Sequence, residues 1–193
     1  MIIKVQRLDK DSFTPFGEII GRPETKPEIS NPELDVWPGI SDIELCSGKG
    51  QFYWMDVKIP RPFICNSLEK HKTCGEVLIP IEGQSIAVFG LSENNIPDNE
   101  DLDQSTLKAF ILDGSVGVNI NKGVWHWLPY PLSGSASFAV VLEKDTHKDD
   151  LLIKDFKSCV LHSGSHFQGK KNNKKKNTML NWYSSCLLLI SYE

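Results

Sequence analysis

Glu76-Val77-Leu78-Ile79-Pro80-Ile81-Glu82-Gly83-Gln84-Ser85-Ile86-Ala87-Val88-Phe89-Gly90 is the stretch on which the fold turns. Two runs rich in β-branched and apolar residues, Glu76 to Ile81 and Ser85 to Gly90, read as strands. Between them, Glu82-Gly83-Gln84 can reverse the chain, because glycine reaches the positive φ that tight turns need. Working outward, the same unit recurs. Gly17 to Ile20, Gln51 to Ile59, Leu107 to Leu112, Gly117 to Ile120 and Ser137 to Leu142 read as further strands. Pro60-Arg61-Pro62, Asp113-Gly114-Ser115 and Ser133-Gly134-Ser135 supply further turns. Only the residues after Thr146 and around Asp9 to Phe13 carry any helical character, and Ser92 to Thr106 reads as a long exposed loop. Many short strands with close turns predict a mainly all-β chain, an antiparallel barrel or sandwich with few short helices.

The chain has 193 residues, 40% of them hydrophobic, enough for one core of ordinary size. Its net charge of −4 argues against nucleic acid as a partner, since phosphate binding draws on a basic face. That charge is unevenly spread. From Lys157 onward there are six lysines and one acidic residue, leaving 15 basic against 24 acidic residues, a balance of −9, in the rest. The tract Lys170 to Asn177, entirely lysine and asparagine, cannot bury enough apolar surface to order itself. With the abrupt apolar ending that follows, it also has the look of an A/T-rich gene read in a shifted frame. Residues 1–156 are therefore expected to form a single domain, and 157–193 a basic, disordered or aberrant tail. The five cysteines are scattered without a C-x-x-C pair, which fits free thiols and a cytoplasmic location. The N-terminus does not read as a signal peptide, and no apolar run, Leu187 to Ile190 included, is long enough to span a bilayer.

Two local patterns carry chemistry. In Glu69-Lys70-His71-Lys72-Thr73-Cys74-Gly75-Glu76, residues two apart on a strand share a face, so Glu69 and His71 project together and Glu76 can join them from the next strand. In Asn121-Lys122-Gly123-Val124-Trp125-His126-Trp127, a polar turn leads into a strand bearing His126. Imidazoles beside carboxylates serve as acid–base pairs or as metal ligands, and the spacing admits both. Cys74 has no base placed for it and reads as a bystander. The tryptophans read mostly as core, Trp125 being the exception because it precedes His126.

Together the two patterns resemble the halves of the cupin signature. Glu69-x-His71, then Glu76 and Gly83, stands for the first half, with glutamate replacing its first histidine. Asn121-x-Gly123-x-x-His126 stands for the second, without its proline. A closer resemblance covers about residues 1 to 156. Ser12 to Ile20, Leu68 to His71, Leu78 to Gly83, Leu107 to Phe110, Gly117 to Asn119 and Val124 to His126 look like the ureidoglycolate lyase family in order and approximate spacing. The resemblance implies a cupin-like antiparallel β-barrel (a double-stranded β-helix), usually a homodimer. It also implies release of urea and glyoxylate from ureidoglycolate in purine and allantoin breakdown. It places catalysis on His71, His126, Glu69 and Glu76, and substrate contacts on Lys70, Trp125 and Asn119. No firm cofactor follows from it. A divalent metal on Glu69, His71, Glu76 and His126 is the alternative, as are turnover of another small hydroxy or keto acid and a barrel that binds a small molecule without turning it over. The expected partners are a small-molecule substrate and a second copy of the chain, with neither nucleic acid nor membrane.

Overall fold

The computed structural model describes residues 1–162. Its strands are β1 Ile2–Arg7, β2 Gly17–Ile20, β3 Ile29–Ser30, β4 Asp35–Val36, β5 Gly50–Val57, β6 Ile64–Lys70, β7 Glu76–Glu82, β8 Ser85–Ser92, β9 Leu102–Leu112, β10 Gly117–Ile120, β11 Trp125–His126, β12 Tyr130–Pro131, β13 Ala136–Glu143 and β14 Leu152–His162. The helices are short, α1 Lys10–Phe13 and α2 Thr146–Asp149. Asp9 starts α1 by accepting a hydrogen bond from the Ser12 amide at 3.0 Å. The chain is thus mainly β with few short helices, as its sequence predicts.

Two sheets carry the architecture. The larger runs β11-β6-β14-β1-β9-β8-β12, and a further pairing of β11 with β8 closes it into a ring. The smaller runs β2-β10-β7-β13-β5. The barrel is not wholly antiparallel, because β1 lies parallel to both β14 and β9. The predicted strand–turn–strand of residues 76–90 is present, but its two strands do not pair. The turn at Gly83, with φ of 79°, carries the chain from the smaller sheet to the ring. A Cβ there would lie 2.4 Å from the Ser135 carbonyl oxygen, so glycine is required on two counts.

Alternation on β8 and β9 divides their side chains between two cores. Ala87, Phe89, Phe110 and Leu112 pack with Phe13, Phe16, Leu78 and Phe138 between the sheets. Ile86, Val88, Ala109 and Ile111 pack with Leu68, Cys65, Trp125 and Leu161 of the ring strands. Burial on both faces explains why these strands read as nearly continuous apolar runs.

Three expectations need correction. β9 begins at Leu102, so the predicted loop is cut short, and Leu102 and Leu107 are both buried. β14 crosses the boundary placed at residue 156, and beyond it Cys159 and Leu161 point into the ring core. Residues 163–193, including the lysine-asparagine tract, lie outside the described residues. Trp54 is 63% exposed and Phe52 81%, because β5 is an edge strand whose outward face has no covering layer among the described residues.

Candidate active site

Three strand ends bring one cluster together. His71 directly follows β6, Glu76 opens β7, and His126 closes β11. β11 is held on both sides, with His126 opposite Glu69 of β6 and opposite Phe89 of β8. Glu76 Oε2 lies 3.1 Å from His126 Nε2 and 3.4 Å from His71 Nε2. All three residues are buried, at 5% exposure for each histidine and 9% for Glu76.

The other ring nitrogens fix the proton positions. His71 Nδ1 lies 2.6 Å from the Asp150 carbonyl oxygen, and His126 Nδ1 lies 2.9 Å from that of Val124. A carbonyl can only accept, so each Nδ1 carries hydrogen and donates it. Each Nε2 is thereby directed at the shared carboxylate oxygen. Burial alone would lower the His126 pKa, but the Glu76 charge and hydrogen bond outweigh it and raise it to about 9. Burial likewise pushes Glu76 up, but His126 first and His71 second overcome this and hold it at about 2. His126 and Glu76 are accordingly an imidazolium–carboxylate pair at neutral pH.

A cavity of about 20 Å³ opens beside the pair, lined by Glu69, Glu76, His126, Met55, Phe89 and Trp127 among others. That is room for about one water molecule. A larger cavity of about 200 Å³ borders Pro97, Asn121 and Gly123. Its one charged lining residue, Lys122, is paired with Glu44, and none of His71, Glu76 and His126 is among its lining residues.

Of the residues expected to act, the structure joins His71, Glu76 and His126, and sets Glu69 on the cavity wall. Glu69 is not within the set of three whose ligating atoms lie within 4.8 Å of one another, so the four-residue metal set reduces to three. The three expected substrate contacts are not in the cavity. Lys70 is fully buried on the opposite face of β6 from Glu69, and its ammonium donates to Ser92 Oγ, Pro97 O and Asn99 O at 2.9, 2.8 and 2.5 Å. Trp125, adjacent to His126 and therefore on the other face, is also fully buried, and its indole N–H donates to Ser92 Oγ at 3.1 Å. Asn119 spends its amide N–H groups on Ser41 Oγ and Asp42 O, at 2.8 and 2.7 Å, tying down the segment before β5. Sequence reading missed Asp150 and Val124, whose contribution to the histidines is a backbone carbonyl that every residue type carries.

The sequence profile of the ureidoglycolate lyase family matches residues 1–163. The ureidoglycolate lyase of Salmonella typhimurium is 26% identical over 129 residues, covering 65% of this chain and 78% of that protein. That of Pseudomonas syringae pv. syringae is 24% identical over 158 residues, covering 78% and 81%. Among solved structures, the dTDP-6-deoxy-D-glucose-3,5-epimerase RmlC of Legionella pneumophila superposes with a TM-score of 0.41 at 17% identity, covering 70% of this chain and 76% of that one. With the family profile spanning every described strand, the chain belongs to the ureidoglycolate lyase family.

Proposed function

We propose that the protein is a carbon–nitrogen lyase that releases urea and glyoxylate from ureidoglycolate, and that the buried cluster of His71, Glu76 and His126 performs the reaction. The observation that carries this is one carboxylate oxygen facing two imidazoles whose Nδ1 atoms are both committed to carbonyls. Ureidoglycolate is a carbinolamide. Its cleavage requires loss of the hydroxyl proton as the C–N bond breaks and gain of a proton by the departing urea nitrogen. His71, with hydrogen on Nδ1, presents the lone pair of Nε2 and takes the hydroxyl proton. The new C=O bond of glyoxylate forms as the C–N electrons leave with urea. His126 Nε2–H supplies the proton that urea takes, and its positive charge favours the substrate's carboxylate. Glu76 Oε2, between the two rings, then passes the proton gained by His71 back to His126 and resets the site. Glu69 on the cavity wall adds negative charge that keeps His126 protonated.

A divalent metal is a second proposal for the same residues. The donor set fits, because two imidazole Nε2 atoms and a carboxylate oxygen converge and both Nδ1–H groups are anchored on carbonyls, which is how protein-bound metals orient histidine ligands. His71, Glu76 and His126 would hold the ion, which would act as a Lewis acid on the substrate's oxygen.

The direct test is urea and glyoxylate release by the full chain, with metal content measured on protein purified without chelator. His71→Ala is expected to lower kcat by about 10²- to 10⁴-fold, the usual worth of a positioned base. A folded His71→Ala protein with undiminished urea release would remove the proposal, and binding of hydroxy or keto acids without turnover would favour a non-catalytic barrel.

We also propose a cytoplasmic homodimer. No helix among the described residues is long and apolar enough to cross a membrane. The support for a second copy as partner is the uncovered apolar side chains of the smaller sheet, Phe52 and Trp54 on its edge strand β5 and Ile81 on β7, which stand 81%, 63% and 54% exposed. Sedimentation should give a dimer that Trp54→Glu converts to monomer, and a monomeric wild type would refute it.

A further inference from the structure

We propose that Asp150 is a positioning residue for the reaction, holding His71 in the tautomer that leaves Nε2 free to accept a proton. The inference rests on the assignment of His71 as the base, and it names a group that neither sequence motif contains.

Asp150 grips the turn between β6 and β7 through both its main chain and its side chain. Its carbonyl accepts from His71 Nδ1 at 2.6 Å. One carboxylate oxygen accepts from the Lys72 amide at 2.8 Å. The other accepts from the Thr73 amide at 2.8 Å and from Thr73 Oγ1 at 2.6 Å. Three consecutive residues starting at His71 are thus bound to one residue distant in sequence. Asp150 itself is placed by α2, since its amide donates to the Thr146 carbonyl at 2.9 Å. The carboxylate's bonds keep the end of α2 against the turn, and this keeps the carbonyl in line with the imidazole.

The arrangement matters because His71 has few other constraints on its ring. Its own carbonyl accepts from the Gly123 amide at 2.6 Å, which fixes the backbone but not the tautomer. Without the Asp150 carbonyl, hydrogen on Nε2 would be favoured, because that nitrogen faces the Glu76 carboxylate at 3.4 Å. An imidazole in that form has no lone pair on Nε2 and cannot act as the base there. Burial pushes the Asp150 carboxyl pKa up, but the donors on Thr73 and Lys72 outweigh this and lower it, so the group accepts as a carboxylate.

The test compares Asp150→Ala, Asp150→Asn and Thr73→Val in the full chain by ¹⁵N NMR of the imidazoles, recorded where they are neutral, alongside kcat and KM for urea release. In the wild type His71 should carry hydrogen on Nδ1 alone. In Asp150→Ala its signals should move toward the Nε2–H form, and kcat should fall about 10- to 100-fold with little change in KM, the usual cost of losing a partner that orients an active group. Asp150→Asn, which keeps one acceptor, should fall between Asp150→Ala and the wild type. Thr73→Val removes one bond from an exposed side chain, so it should fold normally and shift both readouts in the same direction by less. If Asp150→Ala does not fold, Thr73→Val decides. The proposal is overturned if His71 keeps its wild-type spectrum in these variants, whatever happens to kcat, or if the wild type already carries hydrogen on Nε2. A wild type that releases no urea would instead refute the proposed function, while the spectra would still decide the role of Asp150.

Discussion

Glu76→Gln should reduce urea release by about 10²-fold or more while leaving the protein folded. The amide replaces the carboxylate at nearly the same volume; where the carboxylate accepts from His126 Nε2–H, the amide can accept through its oxygen or donate to a neutral Nε2, so no polar group is stranded. What disappears is the charge that keeps His126 protonated. With only the Glu69 charge and the Val124 carbonyl left to oppose burial, its pKa drops from about 9, and the imidazolium is weakened at neutral pH. Stability as a function of pH gives an independent reading. Glu76 is held near 2, below its ordinary 4.5, so its contribution is complete above pH 4.5 and is lost as pH falls toward 2. His126 is raised from 6.5 to about 9, so its contribution is complete below pH 6.5 and is lost as pH rises through 9. The difference in melting temperature between wild type and Glu76→Gln should therefore be greatest between about pH 4.5 and 6.5 and shrink on both sides. Thermal unfolding from pH 3 to 10 measures it. A difference independent of pH, or an unchanged kcat, would show that the pair is not ionised as described.

Lys70→Met should have the opposite character, a large loss of stability with activity per folded molecule retained. The ammonium is fully buried and donates three hydrogen bonds, to Ser92 Oγ and to the carbonyls of Pro97 and Asn99. It also sits 4.8 Å from the centre of the Trp125 ring. Methionine fills the stem's volume but leaves the Pro97 and Asn99 carbonyls without this donor, while Ser92 Oγ keeps the Trp125 indole N–H, at a cost of about 3 kcal/mol in all. Urea-induced unfolding should show this loss, and Lys70→Arg should recover only part of it, because a planar guanidinium does not reproduce the ammonium's three directions. A stable Lys70→Met protein with raised KM would return Lys70 to the substrate.

The same alternation that locates the site also excludes its neighbours. Glu69 and Lys70 are adjacent on β6, as are Trp125 and His126 on β11, so only one of each pair can face the cavity. Applied consistently, that rule removes Lys70 and Trp125 from the substrate contacts on sequence alone. The long-range approach of His71 to His126 was legible only through the resemblance of their two turns to the halves of the cupin signature. β14 was not, for a physical reason. Its register against β6 shifts between Asp155 and Cys159, so the alternation of apolar residues changes phase midway, and Ile153 and Val160 face outward at 51% and 41% exposure. β1 is similarly masked by Ile2, which is 74% exposed at its start. The grip of Asp150 on His71 could not be read either, since it depends on where α2 ends relative to a turn far away in the chain.

β11 holds only Trp125 and His126, yet its pairings with β6 and β8 complete the ring. The seam of the barrel and the imidazolium are therefore one structural unit, and whatever parts the seam also dismantles the site. Amide hydrogen exchange at Trp125 and His126 would report both events with a single opening free energy. By mass action, an anion held against His126 slows that exchange in proportion to its occupancy, so affinity can be read from the backbone before any turnover is measured.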